Sequence, residues 1–141
     1  WHIDCSIDLV RPGMAIICPG KPPMTPEALE LFKINDWELI PAVEPVYHWT
    51  DKLTLCNTVL GQGQNGPNWI SMNMLSLGPK TVCVDANEKP FCEQFDKLGF
   101  EVLPITYDAV FRFGGMLHCT TLDVHREGDC EDYFPNQIAG Y

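Results

Sequence analysis

Near the C-terminal end of the sequence, Gly114 and Gly115 lead through Met116 and Leu117 into His118 and Cys119. A cysteine attacks carbon only as the thiolate. At an ordinary pKa of ~8.5, a few per cent of thiols are ionised at neutral pH, so a nucleophile needs a base or a cation beside it. In an apolar run the same residue is a small buried hydrophobe. Residue type alone leaves both readings open for Cys119. Two other strand-like segments open on reactive or polar side chains, His2 and Asp4 in the first and Ser71 and Asn73 in the second. If these segments surround one axis, their openings converge. Neighbouring residues of a regular strand point to opposite faces, so His118 is turned away from Cys119 and His2 is the expected acid–base partner. Asp4, two residues on, shares the face of His2 and offers a carboxylate to a cation. His48 and His125 show no partner spacing, and His118, Cys119 and His125 match no usual metal-ligand spacing. Neither a metal nor a cofactor is expected.

The elements that must carry these residues repeat. Segment 3–10 reads as a strand, Arg11-Pro12-Gly13 as a turn and 14–18 as a buried strand. Thr25-Pro26-Glu27 opens a helix, with Thr25 as cap and Pro26 at the first helical position. Trp37-Glu38-Leu39-Ile40 returns as a strand that stops at Pro41. The same order recurs as strand 69–77, turn 78–80, strand 81–84, helix 88–98 and strand 100–103, stopping at Pro104. A third copy begins at Met116. The chain therefore reads as α/β, with modules at about 1–42 and 69–104 and a closing segment at 105–141. Such units cannot bury their faces alone and need neighbours, which suggests part of a ring. Residues 43–68 between the copies are irregular and read as a loop, either a lid or a tolerated insertion.

Composition sets outer limits. The 141 residues are 45% hydrophobic and 20% charged, as in a globular domain. A net charge of −10 opposes nucleic-acid binding. No apolar run approaches the roughly 20 residues of a membrane-spanning helix, so no membrane partner is expected. The seven cysteines are odd in number and form no Cys-x-x-Cys pair. That usage fits a reducing, cytoplasmic compartment. The sequence opens at Trp1 without an initiator Met, which suggests a piece of a longer polypeptide.

Taken as an ordered set, Trp1-His2-Ile3-Asp4, Ser71-Met72-Asn73, Val84-Asp85-Ala86-Asn87-Glu88 and Gly114-Gly115-x-x-His118-Cys119-x-x-x-Asp123-Val124 resemble the glycine amidinotransferase family. That family includes inosamine-phosphate amidinotransferases and members in toxin biosynthesis. The resemblance covers roughly residues 1–128. It implies the pentein fold, an α/β propeller of five pseudo-symmetric strand–strand–helix–strand modules, of which this chain would be the C-terminal part. It also implies ping-pong transfer of the amidino group of arginine to an acceptor amine. Cys119 matches the nucleophile, His2 the general acid and base, and Asp4 the carboxylate that grips the guanidinium.

The sequence departs from the family in three places, and in one of them Gly66-Pro67 replaces polar residues before Trp69. Lys21 stands where an Arg usually binds the amino-acid carboxylate, and Lys keeps the charge but loses the bidentate fork. Trp1 stands beside the matched His where enzymes that make guanidinoacetate carry Met. That neighbour lines the acceptor pocket, so the expected acceptor is an amine of specialised metabolism and not glycine. The resemblance further implies a homodimer, small-molecule substrates only, and no activity in the isolated 141 residues. Two alternatives are a guanidine-hydrolysing pentein of the arginine deiminase type and a non-catalytic propeller module used for binding.

Overall fold

Two units of the same make are joined in the computed structural model, which describes residues 3–19, 24–46, 70–111 and 115–139. In the first unit, strands β1 (Ile7–Arg11) and β2 (Met14–Ile17) form an antiparallel hairpin. Helix α1 (Pro26–Ile34) then crosses over to β3 (Glu38–Pro41), which lies parallel to β2. In the second, β4 (Leu75–Gly78) and β5 (Thr81–Asp85) form the hairpin, α2 (Lys89–Lys97) crosses over, and β6 (Glu101–Ile105) runs parallel to β5. A short helix, α3 (Asp108–Phe111), follows. Each unit is a three-stranded sheet with its second strand in the centre.

The likeness extends to single hydrogen bonds. Glu38 N–H donates to Gly13 O at 2.8 Å, and Glu101 N–H donates to Lys80 O at 2.7 Å. Trp37 N–H reaches back to Phe32 O, and Phe100 N–H to Phe95 O, both at 3.0 Å. After each helix the chain reverses through one residue of positive φ, Asp36 at 58° and Gly99 at 82°. Only Gly, and less often Asn or Asp, adopts that conformation readily. Both hairpins shift register at the same point, between Leu9 and Arg11 and between Ser76 and Gly78.

Helix α1 starts as its sequence dictates: Thr25 Oγ1 accepts from Ala28 N–H at 3.3 Å and Pro26 takes the first turn. Helix α2 buries Phe91 and Phe95 completely. These two join Val82, Val84, Met72 and Met74 of their own unit to Val10, Met14 and Ile16 of the first, in one core. Each fully buried side chain of this kind contributes about 1.5–3 kcal/mol. By contrast, α1 has no fully buried residue. Its partly buried Phe32 packs with Ile7, Ala15 and Trp37 in a smaller cluster, which Phe134 of the C-terminal segment completes. The Phe134 ring stacks on Trp37 at 5.0 Å and meets Phe32 edge-on at 5.1 Å. Asn35 and Asn136 exchange hydrogen bonds of 2.8 and 2.9 Å, and Trp37 Nε1–H donates to Tyr133 O.

Three expectations require correction. Segments 3–10 and 69–77 are not strands throughout. Each opens with one turn of 3₁₀ helix, Ile3–Cys5 and Ile70–Met72, and only then extends. The strand expected after Met116 is likewise a 3₁₀ turn, His118–Thr120, and no strand follows it among the described residues. Alternating residue types over so few positions fit a tight turn as well as a strand, and here the turn wins because polar side chains hold it. Pro104 does not stop its strand but lies within β6, while Pro41 is the last residue of β3. Both are edge strands, where a missing N–H donor is tolerated. Cys83 is buried in β5 and Cys18 packs against the core, as small hydrophobes do. The side chain of Cys5 lies outside the described residues, as do Trp1, His2, Lys21 and the 47–69 stretch of the loop.

Candidate active site

The three 3₁₀ turns close with the same bond. Ser6 N–H donates to Ile3 O at 2.8 Å, Asn73 N–H to Ile70 O at 2.9 Å, and Thr121 N–H to His118 O at 3.1 Å. Asp4, Ser71 and Cys119 are therefore the middle residues of equivalent turns. One backbone position carries a carboxylate, a hydroxyl and a thiol in the three copies.

Asn73 ties two of these turns together. It is fully buried. Its side-chain Oδ1 accepts from Met116 N–H at 2.7 Å and from Cys119 N–H at 3.0 Å. Its Nδ2 donates to Asp4 Oδ2. Its backbone O accepts from His118 N–H at 3.3 Å. His118 Nδ1 also reaches Asp4 Oδ2, at 2.8 Å. A carboxylate oxygen accepts, so Nδ1 carries the proton and a neutral ring keeps Nε2 as an acceptor. The expectation that His118 is turned away from the site thus fails. Its premise was a strand at His118 and Cys119, and the backbone there is a 3₁₀ turn.

Asp4 is buried, and its second oxygen, Oδ1, has no hydrogen-bond partner among the described residues. A buried acceptor of this kind costs about 1–3 kcal/mol until a donor reaches it. Burial pushes the Cys119 thiol above its ordinary pKa, and the Asp4 charge pushes it further. Hydrogen bonds from the Met116 backbone and the Asn73 side chain act in the opposite direction. Cys119 is in no disulfide. Asp8, on β1, has a buried Oδ2 without a partner among the described residues, and burial together with the Asp4 charge raises its pKa from 3.8 to about 7. Ser71 is committed elsewhere: its Oγ–H donates to Glu88 Oε1 at 2.6 Å, while Glu88 Oε2 accepts from Val46 N–H at 2.7 Å.

Of the residues singled out from the sequence, Asp4 and Cys119 share one hydrogen-bonded network. His2, Trp1 and Lys21 lie outside the described residues. Two members escaped the sequence reading. Asn73 stands in a strand opening and in the Ser71-Met72-Asn73 motif but is given no role there, and His118 is set aside on strand geometry. The signal available for Asn73 was its place at the end of a turn that repeats, where an amide can both accept and donate.

No protein-family model matches the chain. Over 133 residues it is 31% identical to the mitochondrial glycine amidinotransferase of Xenopus laevis, which covers 94% of this chain and 28% of that protein. Over 132 residues it is 29% identical to the L-arginine:L-lysine amidinotransferase of Pseudomonas savastanoi pv. phaseolicola, covering 94% of this chain and 32% of the relative. Among solved structures, it is similar to an amidinotransferase from Microseira wollei in the saxitoxin biosynthetic pathway, with a TM-score of 0.71 and 25% identity over 95% of this chain and 36% of the other. The inosamine-phosphate amidinotransferase of Streptomyces griseus gives a TM-score of 0.70 and 28% identity over 94% of this chain and 35% of the other. All four are amidinotransferases, and this chain spans between 28% and 36% of their length. The chain is thus similar to the C-terminal part of amidinotransferases.

Proposed function

We propose that the chain is the C-terminal part of a pentein α/β propeller that moves the amidino group of arginine to an acceptor amine. The observation that carries this reading is the shared anchoring of Asp4 and Cys119 on Asn73. It sets in one network a thiol and a buried carboxylate with one oxygen unpartnered among the described residues, the pair a planar guanidinium needs.

In this reading Asp4 Oδ1 accepts from a guanidinium N–H, a charge-assisted bond that orients the group for attack. The cation also offsets the Asp4 charge felt by the thiol, so substrate binding favours the thiolate. The Cys119 sulfur adds to the guanidinium carbon. The bond from that carbon to the side-chain nitrogen of arginine then breaks, with a proton delivered by His2, and ornithine leaves. The acceptor amine adds to the amidino-cysteine carbon, His2 takes a proton from the nitrogen, and the carbon–sulfur bond breaks to return the thiolate. Lys21 holds the arginine carboxylate. Trp1 shapes the acceptor pocket for an amine of specialised metabolism. Leu122 and Val124 are exposed after the third turn, which supports a reading in which further modules complete the propeller and the 141 residues alone are inactive.

The test uses arginine labelled at the guanidino carbon, incubated with the complete parent protein, quenched in acid and mapped by peptide mass. Label on Cys119 is the expected result. Arginine that binds without labelling Cys119 overturns the reading, and release of citrulline in place of a new guanidino compound replaces it with hydrolysis.

A further inference from the structure

The amide of Asn73 is the one described group bonded to both the Asp4 side chain and the Cys119 backbone. Its Oδ1 has two lone pairs, and both are used, by the N–H groups of Met116 and Cys119. Its Nδ2 faces the other way and donates to Asp4 Oδ2. Both bonds hang from one planar, fully buried group, so its position couples the place of the thiol to the place of the carboxylate. The bonds reinforce one another: an amide whose oxygen accepts two N–H groups is a stronger donor at nitrogen. Asn73 and His118 both bind the same oxygen of Asp4, and among the described residues Oδ1 has no partner and can meet a ligand.

Other side chains cannot do this. Asp accepts the two backbone N–H groups but sets an oxygen against Asp4 and adds a second anion beside Cys119. Ser reaches one side at most. Gln carries the right groups one methylene too far out.

We propose that Asn73 is a positioning residue that sets the separation and relative orientation of the Cys119 thiol and the Asp4 carboxylate. This rests on reading Cys119 as the nucleophile and Asp4 as the guanidinium carboxylate. It adds a specificity for planar cations, because a carboxylate held by one oxygen presents the other in a fixed direction.

The test compares the complete parent protein with its Asn73→Asp and Asn73→Ser variants. The rate of Cys119 alkylation by iodoacetamide is followed against pH by peptide mapping, with exposed Cys130 as internal reference. The midpoint for Cys119 rises in both variants, by roughly one pH unit or more for Asn73→Asp because of the added anion. The Cys130 profile stays in place. Label transfer from arginine to Cys119 falls by about a hundredfold, the scale of a misplacement near 1 Å. A merely structural residue would lower folded protein without moving the Cys119 midpoint. A wild-type midpoint in the folded variants overturns the proposal, and if Asn73→Asp does not fold, Asn73→Ser decides by the same measurement. Absence of arginine label in the wild type sinks the functional reading instead, while the alkylation profile still decides the role of Asn73.

Discussion

Gly115 and Cys119 touch so closely that no side chain fits between them. A Cβ on Gly115 would lie 2.7 Å from Cys119 Cβ and 3.3 Å from its Sγ. Gly115→Ala therefore displaces the Cys119 turn or strains it. The expected outcome is a loss of about 1–3 kcal/mol in stability, the usual cost of overpacking, with arginine labelling of Cys119 reduced at least tenfold. Gly128→Ala, where nothing lies within 4 Å, is the matched control and should change neither. Urea unfolding and peptide mapping of the complete protein check both.

Asp4 acts on Cys119 in two opposed ways. Its charge raises the thiol pKa, yet it is the group proposed to hold the guanidinium. Asp4→Asn should therefore speed alkylation of Cys119 at pH 7 by several-fold while abolishing arginine-derived labelling. If both rates fall together, the carboxylate is merely holding the turn. Parallel iodoacetamide and labelled-arginine time courses separate the two results.

The folded state holds a proton on Asp8 up to about pH 7, whereas the unfolded chain releases it near 3.8. Between those values the native state binds more protons than the unfolded state, so stability falls as pH rises through this window and levels off above it. The ionised carboxylate then costs on the order of a few kcal/mol. Asp8→Asn should raise the Tm at pH 8, leave it nearly unchanged at pH 4, and flatten the slope between. Thermal melts across that range are the check.

Phe134 fills the cluster between Phe32 and Trp37 from a hundred residues away in sequence, near the Asn35–Asn136 pair, whose separation is 101. Phe134→Ala removes two ring contacts, each worth ~0.5–1.5 kcal/mol beyond area, so a loss of about 1–3 kcal/mol is expected. Trp37 fluorescence should shift to the red before global unfolding, reporting release of the C-terminal segment.

Much of the architecture was legible because its signals are local. Thr25-Pro26 fixed the start of α1, the spacing of Phe91, Phe95 and Leu98 fixed the inner face of α2, and the paired Trp37–Pro41 and Phe100–Pro104 stretches marked the repeat. The turns at Ile3–Cys5, Ile70–Met72 and His118–Thr120 were not legible. Each is three residues long, and its middle residue, Asp4, Ser71 or Cys119, finds a hydrogen-bond partner 17 to 69 positions away. Period alone cannot register that. The same blindness hid His118, whose partner Asp4 lies 114 positions earlier. The acidic and thiol members of the site could be named from residue type, but the amide joining them could not.

The Asn73 network has a consequence for when chemistry begins. Asp4 and Asn73 are 69 positions apart, and Asn73 and Met116 are 43 apart. Each hairpin and helix forms from contacts near in sequence, whereas these bonds close long loops and so form late. Until all three turns have met, Cys119 lacks its buried surroundings and behaves as an ordinary surface thiol. A chain that has gained its helices and sheets still lacks the bonds that set Cys119 beside Asp4. The pairing of the thiol with the carboxylate is complete only when the last turn docks.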